Sequence, residues 1–513
     1  MPFQFSRRPN RAAEIAWREW SEAVAQATAD DRPLFLCLTT TWCQWCHALD
    51  EGAFSDDIVI STLNRSFTPA RVDVDERPDI ALRYSLGGWP TVACLTPEGE
   101  TIAGGTFLTG AELVDMLDNV QGAWISQRDE FAAEVTELRM ATAALLRSLR
   151  EQPAVRALTP EFLAFVTETA LSAFDAEYGG FGRAAKFPRA DILETLLLME
   201  DARARTVLER TLDALTAGEI HDRISGSFYR YAAERDWSAP HTERLLTDNA
   251  ALAIVFAQAS RRFARPDLAA TAAGIVDFMN SALWIPTEGA FAHALAAGDG
   301  GDCGPTGGCP TYTDANATAI RALVWVETVF PGSGHGTRAE EVAGRLWSRR
   351  SARGLLARTP NGPDCYLNDQ LAMLEAALQL NDTGLGEPGE THNDLWLNRA
   401  EELWGAIDSY FTVSGKSVLL ADVAAPVNVP PDSEPVYEAR VGRLARTETP
   451  LPENARAAAC AALLARARRD EELAGRARLM LEQLAPSAAN MGNYSIGLAR
   501  AALIASGTAN ALP

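Results

Sequence analysis

Apolar and polar positions divide the chain into two parts with different periodicities. Up to about residue 125, short apolar runs at 34–38, 67–74 and 91–95 predict buried strands, and a fourth strand follows at 101–103. Residues 11–30 predict a helix, because their apolar side chains recur at steps of three and four. The predicted order of elements, α-β-α-β-α-β-β-α, is typical of a small α/β domain.

After about residue 125 the strand patterns fade, and the chain shows the period of amphipathic helices. A degenerate pattern recurs there, in which a turn carrying Asn or Asp precedes an apolar helix. Six helical hairpins of this kind can close into an (α/α)6 toroid, and the alternative is an open helical solenoid. Asn or Asp at a helix start is also ordinary capping. The six starts lie near Pro188, Asp248, Asp314, Asn368, Glu453 and Gly492.

These patterns predict three consecutive regions. An α/β domain occupies 1–125, a helical linker occupies 126–157, and an all-α (α/α)6 toroid occupies 158–513. The linker is placed there because a predicted helix over 126–150 is broken at Pro153.

Charge and hydropathy restrict the classes of partner. The chain has 46 Lys and Arg against 68 Asp and Glu, a net charge of −22, which argues against nucleic acid or an anionic membrane as a partner. No apolar run reaches the length of a membrane span, and the N-terminus has no apolar segment after its arginines. We therefore expect a cytoplasmic protein.

The eight cysteines are too sparse for a disulfide-rich scaffold, so their spacing is the informative feature. Cys43 and Cys46 form a C-x-x-C motif after the first predicted strand and at the start of a helix. The positive end of the helix dipole favours a thiolate at the first position, and the second thiol follows one turn later. We predict that Cys43 attacks a disulfide and that Cys46 resolves the mixed disulfide.

Two flanking residues belong to the same candidate catalytic site. Trp42 precedes the first cysteine, and Pro90 follows Gly87-Gly88-Trp89 at the start of the third strand. This order resembles thioredoxin-like folds, in which a cis-proline packs beside the active-site cysteines. The expected partners are proteins with thiols or disulfides, and neither a cofactor nor a metal is predicted.

Three alternatives remain open for the motif. It can be half of a zinc site, although no second cysteine pair has ligand spacing. Residues 43–47 also fit the attachment string of c-type haem. A thioredoxin-like domain without redox turnover is the third, because Cys37 occupies the place of a buried acid in thioredoxin. Cys303 and Cys309 share one Gly-rich loop and can pair, serve as substrates of the redox site, or stay unpaired.

Further motifs extend the resemblance to one family. Residues 43–47 match a C-H-W-C-H pattern, with Gln44 in place of a histidine, and 73–79 match D-x-x-E-R-P-D. Residues 87–90 and 95–99 match G-G-W-P and L-T-P-D-G, the last with Glu for Asp. These motifs resemble the thioredoxin-like domain of the spermatogenesis-associated protein 20 family, which implies a thioredoxin-like fold for the α/β domain.

The resemblance continues into the second part. Residues 186–188, 218–231 and 237–249 match the family motifs there, with Tyr229 where the family usually has histidine. The family's second domain resembles six-hairpin glycosidases and N-acylglucosamine epimerases, so the resemblance implies an (α/α)6 fold and a sugar ligand. Candidate substrate-binding residues are Asp222, Arg230, Tyr231, Trp237, Asp248 and Asn249.

One segment of the second part has acid–base chemistry of its own. Pro240 can open a helix, which places His241 and Glu243 in its first turn near the mouth of the toroid. An imidazole and a carboxylate can act there as base and acid. The structural alternative is that Glu243 complements the helix dipole and that the neighbouring aromatic residues fill the core.

The sequence therefore leaves three classes of function. The leading one is a thiol–disulfide oxidoreductase at Cys43 and Cys46. The second is a carbohydrate isomerase or hydrolase centred on His241 and Glu243. The third is a non-catalytic redox-sensing or scaffold protein.

The acidic composition gives a first testable prediction. The chain has only two lysines, Lys186 and Lys416, a composition typical of salt-loving organisms or of a GC-rich genome. In the first case, repulsion among carboxylates destabilises the fold at low salt, and screening relieves it. We expect the unfolding temperature, measured by calorimetry, to rise from low to molar NaCl, and a flat curve would exclude the halophilic interpretation.

Overall fold

The computed structural model describes residues 3, 5–183, 185–297, 309–383, 394–413, 415–424, 442–488 and 491–507. The chain divides into two compact units. Unit 1 comprises Met1–Leu149, Ala296–Asp302 and Pro426–Glu448, and unit 2 comprises Arg150–Leu295, Cys303–Ala425 and Thr449–Pro513. The sequence did not anticipate that unit 1 is discontinuous, and the domain boundaries at 125 and 157 stay predictions.

Unit 1 has the α/β composition and order expected of a thioredoxin-like fold. Its elements are α1 (Trp20–Asp30), β1 (Leu34–Thr39), α2 (Gln44–Glu51), α3 (Asp57–Ser66), β2 (Thr68–Asp73), α4 (Pro78–Tyr84), β3 (Thr91–Leu95), β4 (Thr101–Gly105), α5 (Gly110–Ser126) and α6 (Arg128–Glu151), the last ending at the boundary. The sheet order is β2-β1-β3-β4, with β1 parallel to β2 and the other pairs antiparallel.

Strand β1 builds a hydrophobic core on each face of the sheet. Phe35 and Cys37 pack with apolar residues of α2, α3 and α5. Leu34, Leu36 and Leu38 pack on the opposite side with residues of α1 and α4. Every residue of β1 is buried, so the continuous apolar run predicted as a strand reflects burial on two faces.

The first helix is shorter than the predicted helix over 11–30, because α1 begins only at Trp20. Arg18 is extended alongside β2: its backbone N–H donates to Pro69 O at 3.0 Å, and its carbonyl accepts from Arg71 N at 3.2 Å. Trp17 packs its ring against Phe54 with centroids 5.2 Å apart. The apolar spacing before Trp20 therefore serves a segment laid over the core and not a helix.

Unit 2 consists mainly of helical hairpins, and two-residue strands occur in two of its connections. Its elements are α7 (Pro160–Ser172), α8 (Ala190–Leu197), α9 (Ala202–Ala217), β5 (His221–Asp222), β6 (Ser227–Phe228), β7 (Tyr231–Ala232), β8 (Pro240–His241), β9 (Arg244–Leu245), α10 (Leu246–Phe263), α11 (Pro266–Phe278), β10 (Trp284–Ile285), β11 (Ala290–Phe291), β12 (Ala294–Leu295), α12 (Thr313–Val329), α13 (His335–Trp347), α14 (Leu367–Thr383), α15 (Leu395–Phe411), α16 (Leu451–Arg468), α17 (Glu471–Ala488) and α18 (Ile496–Ala505).

The helices of unit 2 close into a ring. Helices α8, α10, α12, α14, α16 and α18 pack in succession, and α18 packs back against α8. Each has a second helix packed against it: α9 on α8, α11 on α10, α13 on α12, α15 on α14, α17 on α16 and α7 on α18. The closed ring confirms the predicted (α/α)6 toroid and excludes the open solenoid. The six predicted repeat starts coincide with the starts of the six inner helices.

The amide side chains of the repeat clamp the chain that enters each helix. At the fourth residue of α10, α12, α14 and α16, a side-chain amide oxygen accepts a backbone N–H at 2.7–2.8 Å. The amide nitrogen donates to the carbonyl of that same backbone residue at 2.9–3.0 Å. The repeat therefore has a bridging role beyond helix capping. The pairs are Asn249 with Phe228, Asn316 with Phe291, Gln370 with Leu356 and Asn454 with Leu420.

Five charged side chains, one from each of five inner helices, meet inside the ring. Glu375 of α14 lies 2.6 Å from Arg456, 3.1 Å from Arg321 and 3.6 Å from Arg500. Glu194 of α8 lies 3.2 Å from Arg500 and 3.7 Å from Arg321. Because α8 and α12 are not neighbours in the ring, and neither are α14 and α18, these ion pairs cross its interior. We call these five residues the ring charge cluster.

Removal of one carboxylate tests how much the ring charge cluster contributes to the stability of unit 2. Burial opposes the charge of Glu375, but Arg456, Arg321 and Arg500 hold the pKa of its carboxyl well below the ordinary value. The carboxylate therefore stabilises unit 2 at neutral pH, and this stability is lost as the pH falls through the ordinary Glu range toward the lower folded pKa. We expect Glu375→Gln to lower the free energy of unfolding by about 3–5 kcal/mol at pH 7, because it leaves buried guanidinium groups uncompensated.

The measurement is urea denaturation followed by far-UV circular dichroism at pH 7 and down to pH 3. The control is Glu401→Gln, which removes a carboxylate from an exposed pair with Arg468; this change should cost about 0–1 kcal/mol. Equal losses in the two variants, or an acid profile unchanged by Glu375→Gln, would contradict the assignment.

Candidate functional site

The C-x-x-C motif lies where β1 passes into α2, with Cys43 as the N-cap of the helix. The Cys43 sulfur accepts a hydrogen bond from the backbone N–H of Cys46 at 3.2 Å. The thiol of Cys43 donates to the carbonyl of Trp89 at 3.7 Å, and the bond between Trp89 and Pro90 is cis. The structure thus brings together Cys43, Cys46 and the Trp-Pro turn, as predicted. The two cysteines are 4% and 2% exposed.

Trp42 fixes the loop that carries the cysteines. The side chain is 3% exposed, and its indole N–H donates to Asp75 Oδ2 at 2.7 Å. The Thr40 hydroxyl donates to the same oxygen at 2.6 Å. Trp42 therefore anchors the loop, and a catalytic role for it stays a prediction. Asp75 was not predicted, although it lies within the acidic 73–79 motif.

A buried ion pair between α2 and β2 lies next to Cys37 and close to the cysteine motif. Arg71 donates to Asp50 through both terminal nitrogens, at 2.8 and 3.1 Å, with side chains 3% and 0% exposed. Arg71 is the β2 partner of Cys37 in the sheet register, and Asp50 follows Cys46 by one helical turn. Burial raises the pKa of Cys37 to about 12, so this thiol stays protonated at neutral pH. Sequence reasoning missed the pair, because no local pattern links Asp50 with Arg71.

Two aromatic side chains remain exposed beside the motif. Trp45, between the cysteines in sequence, is 43% exposed, and Phe107 is 38% exposed. Their ring centroids lie 5.2 Å apart. The surface beside the buried Cys43 thus has an apolar, accessible patch.

The second candidate site lies in the hairpins that precede α10. Strands β7 and β8 pair so that Tyr231 lies opposite His241, and the two rings stack with centroids 4.1 Å apart. The Phe187 ring stacks on Tyr231 at 4.8 Å and is 40% exposed. Two predicted site residues, Tyr231 and His241, are therefore grouped with Phe187, which was not predicted as a site residue.

Charged groups near the start of α10 act on His241 and on Asp248. Burial lowers the pKa of His241, the neighbouring Glu243 opposes this, and the guanidinium of Arg230 adds to it. Burial raises the pKa of Asp248, while Arg230 and His293 oppose that shift. Because Arg230 acts on both groups, we treat Arg230, His241, Glu243, Asp248 and His293 as the hairpin cluster. His293 was not predicted, since no motif in the sequence marks it.

The local structure at Pro240 differs from the prediction of a helix start. Pro240 and His241 form β8, and the helix begins at Leu246. Trp237 and Ala239 have φ of 69° and 52°, so the chain turns sharply before β8 instead of entering a helix. The placement of His241 and Glu243 in a first helical turn was therefore wrong, and Asp248 occupies that turn.

Three other predicted ligand-binding residues are held in structural contacts. Asp222 accepts from Arg244 at 2.7 Å. Trp237 is 1% exposed, and its indole donates to Tyr178 O at 3.0 Å. Asn249 forms one of the helix clamps. Their substrate-binding roles stay predictions, and these contacts do not favour them.

Three remaining questions from the sequence concern metal ions, membrane spans and the loop that contains Cys303 and Cys309. Across the described ranges, no group of three or more His, Cys, Asp or Glu is arranged to hold a metal ion. No helix in the same part of the chain is both long and apolar enough to cross a membrane. Cys309 is buried, and Cys303 lies outside the described residues, as does most of their loop.

The fold and site define a class of protein: a thioredoxin-like unit with a C-x-x-C motif at a helix N-terminus, followed by an (α/α)6 toroid. A family model described as "Thioredox_DsbH: Protein of unknown function, DUF255" matches residues 7–143. Human spermatogenesis-associated protein 20 is 30% identical over 296 residues, which cover 52% of this chain and 37% of the human protein. The rat protein of that name is 31% identical over 271 residues, covering 48% and 34%. The resemblance to the spermatogenesis-associated protein 20 family is confirmed.

The matched region spans about a third of the length of these relatives. Among solved structures, the cellobiose 2-epimerase of Bacillus thermoamylovorans is similar with a TM-score of 0.50 and 8% identity. The likeness covers 62% of this chain and 84% of the epimerase. At that identity it concerns the fold alone, which is the toroid already described.

Proposed function

We propose that Cys43 and Cys46 form the redox centre of a thiol–disulfide oxidoreductase. The observation that carries the proposal is the hydrogen bond from the Cys46 backbone N–H to the Cys43 sulfur at the N-cap of α2. A backbone N–H aimed at sulfur, together with the positive end of the helix dipole, stabilises a thiolate at that position.

The reaction balances as a two-electron exchange. The Cys43 thiolate attacks one sulfur of a substrate disulfide and forms a mixed disulfide, and the other substrate sulfur leaves as a thiolate. The Cys46 thiolate then attacks Cys43 Sγ, which releases the second substrate sulfur and leaves a Cys43–Cys46 disulfide. The substrate is reduced to a dithiol by two electrons from the cysteine pair, and the reverse sequence oxidises a dithiol.

The surroundings of the pair favour a protein substrate. Cys43 is almost buried, so a substrate sulfur has to be presented on a segment that packs closely against the motif. Trp45 and Phe107 offer apolar surface next to it for such a segment.

A second candidate function is sugar isomerisation or glycoside hydrolysis in the toroid, and the hairpin cluster is the observation that favours it. The pKa of His241 is lowered, so the imidazole is neutral at pH 7 and can accept a proton. The pKa of Asp248 is raised by burial, which favours a carboxyl that can donate one. The stacked rings beside His241 supply the apolar surface that a sugar ring packs on. The similar solved structure is a cellobiose 2-epimerase, which makes cellobiose one substrate to test.

The redox proposal predicts distinct behaviour for each cysteine. The wild-type protein should form a reversible Cys43–Cys46 disulfide in graded glutathione buffers. Cys46→Ser should accumulate mixed disulfides with substrate proteins, because the resolving thiol is gone, and Cys43→Ser should trap none. Thiol counting with peptide mass mapping gives the readout.

The matched control is Cys94→Ala, which removes a buried thiol of β3 outside the motif and should leave the disulfide intact. If Cys43 and Cys46 stay reduced under mild oxidants, or if the purified protein carries stoichiometric metal bound by them, the oxidoreductase assignment is wrong. A reversible disulfide without exchange toward any substrate would instead favour the redox-sensing scaffold.

The sugar proposal predicts loss of turnover without loss of fold. His241→Ala, at the proposed base, and Asp248→Asn, at the proposed acid, should each lower any isomerase or hydrolase activity at least about 100-fold, the usual effect of losing a general acid or base. Because the pKa of His241 is lowered, activity that needs the neutral imidazole should persist below pH 6.5 and fall only at more acidic pH. Mannose, cellobiose and N-acetylglucosamine are assayed by proton NMR across pH 4–9.

The control is Glu177→Gln, which changes an exposed carboxylate paired with Arg235 outside the hairpin cluster. It should retain activity if the cluster alone does the chemistry. If both His241→Ala and Asp248→Asn unfold at a much lower temperature than the wild type, the pair is structural and the proposal fails.

A further inference from the structure

A short segment from the connection between α15 and α16 belongs to unit 1. Residues 426–448 are part of that unit, and Gly442–Ala445 form a single 3-10 turn. Leu444 is 5% exposed and lies in the core that contains Trp20 of α1 and Leu36 of β1. Leu444, which lies far later in the sequence, therefore completes one face of the thioredoxin-like core.

The backbone of this segment is held by α4. Arg83 donates to Arg443 O at 3.1 Å and to Arg446 O at 2.7 Å, so one guanidinium binds two carbonyls of the turn. The Tyr84 hydroxyl accepts from Arg443 N at 3.3 Å and donates to Gly99 O at 2.7 Å. These contacts define the segment's path independently of its side chains.

An ion pair adds charge recognition. Arg446 donates to both carboxylate oxygens of Glu100, at 2.9 and 3.0 Å. Glu100 is 3% exposed and Arg446 21% exposed, so the pair is largely shielded from water. Removing the guanidinium partner of a buried carboxylate lowers the stability of the folded unit, because the buried charge is then uncompensated.

We infer that Arg83, Tyr84 and Glu100 form a binding site for an Arg-Leu-x-Arg segment, which we call the latch site. In this chain residues 443–446 occupy it as an integral part of unit 1. The site recognises three features of the segment. Its leucine enters the core, two of its backbone carbonyls accept from the Arg83 guanidinium, and its last arginine pairs with Glu100. The inference does not depend on the redox function. It implies that residues up to 149 alone lack a stabilising part of the thioredoxin-like unit.

Two buried cysteines serve as internal reporters. Cys94 on β3 and Cys460 on α16 are each 0% exposed and belong to different units. Burial raises the pKa of Cys94 to about 12 and also raises the pKa of Cys460. Both thiols are therefore modified only when their own unit opens. Pulse labelling of the full-length protein with N-ethylmaleimide, followed by peptide mass mapping, measures the opening of each unit separately.

Loss of the latch should open unit 1 selectively. We expect Arg446→Ala to raise the labelling rate of Cys94 at least tenfold and to leave that of Cys460 within twofold. The control, Arg468→Ala, removes an arginine that pairs with Glu401 in unit 2, and it should not change the labelling of Cys94. An unchanged Cys94 rate in Arg446→Ala, or equal acceleration at both cysteines, would overturn the inference.

A charge exchange tests the pair directly. Glu100→Arg and Arg446→Glu should each accelerate labelling of Cys94, and the double variant should be slower than either single variant. If the double variant is as fast as the faster single variant, the ion pair is not the recognition element. Light scattering of the wild type completes the test: a monomer agrees with a segment bound within its own chain, whereas a dimer whose segments are exchanged between copies would overturn that assignment.

Discussion

Charge compensation inside the ring is the constraint on which the toroid depends. Glu194 and Glu375 meet three arginines from α12, α16 and α18, and no pair of adjacent helices can satisfy these groups alone. Buried charges tolerate little misalignment, because each one that loses its partner costs several kcal/mol. Each of the five helices therefore has to reach its final rotation about its axis and its final position along that axis together with the others.

That requirement explains the arrangement at the starts of the inner helices. Glu375 lies eight residues into α14, about 12 Å along the helix from its first residue at 1.5 Å per residue. The amide clamps sit within the first turn and fix how the chain arrives, while the ring charge cluster fixes the helices further along. Asp248 of the hairpin cluster lies in the first turn of α10, one residue before the clamp residue Asn249. The clamp therefore helps to fix the backbone that carries this carboxyl.

How much the sequence predicted depended on whether a feature was local. The run at 34–38 was identifiable because burial on two faces leaves no polar positions. Four of the six repeat starts were identifiable because the amide clamps recur at the same helix position. Periodicity failed at 11–19, since a 3-10 turn at Ala12–Glu14 followed by extended chain can have the apolar spacing of an α-helix. It failed at Pro240 because no local pattern reveals that Pro240 pairs with Ala232. Long-range pairs such as Asp50 with Arg71 were out of reach, because residue patterns show which face is buried but not which distant residues meet.

The late position of the latch bears on how the protein is made. The ribosome delivers the thioredoxin-like sheet first, yet the core around Trp20 receives Leu444 only after most of the toroid has been translated. During that interval the cysteine motif belongs to a unit that lacks one of its own core side chains and the arginine bound to Glu100. The nascent chain therefore passes through a stage in which its thiols are present before the packing of unit 1 is complete.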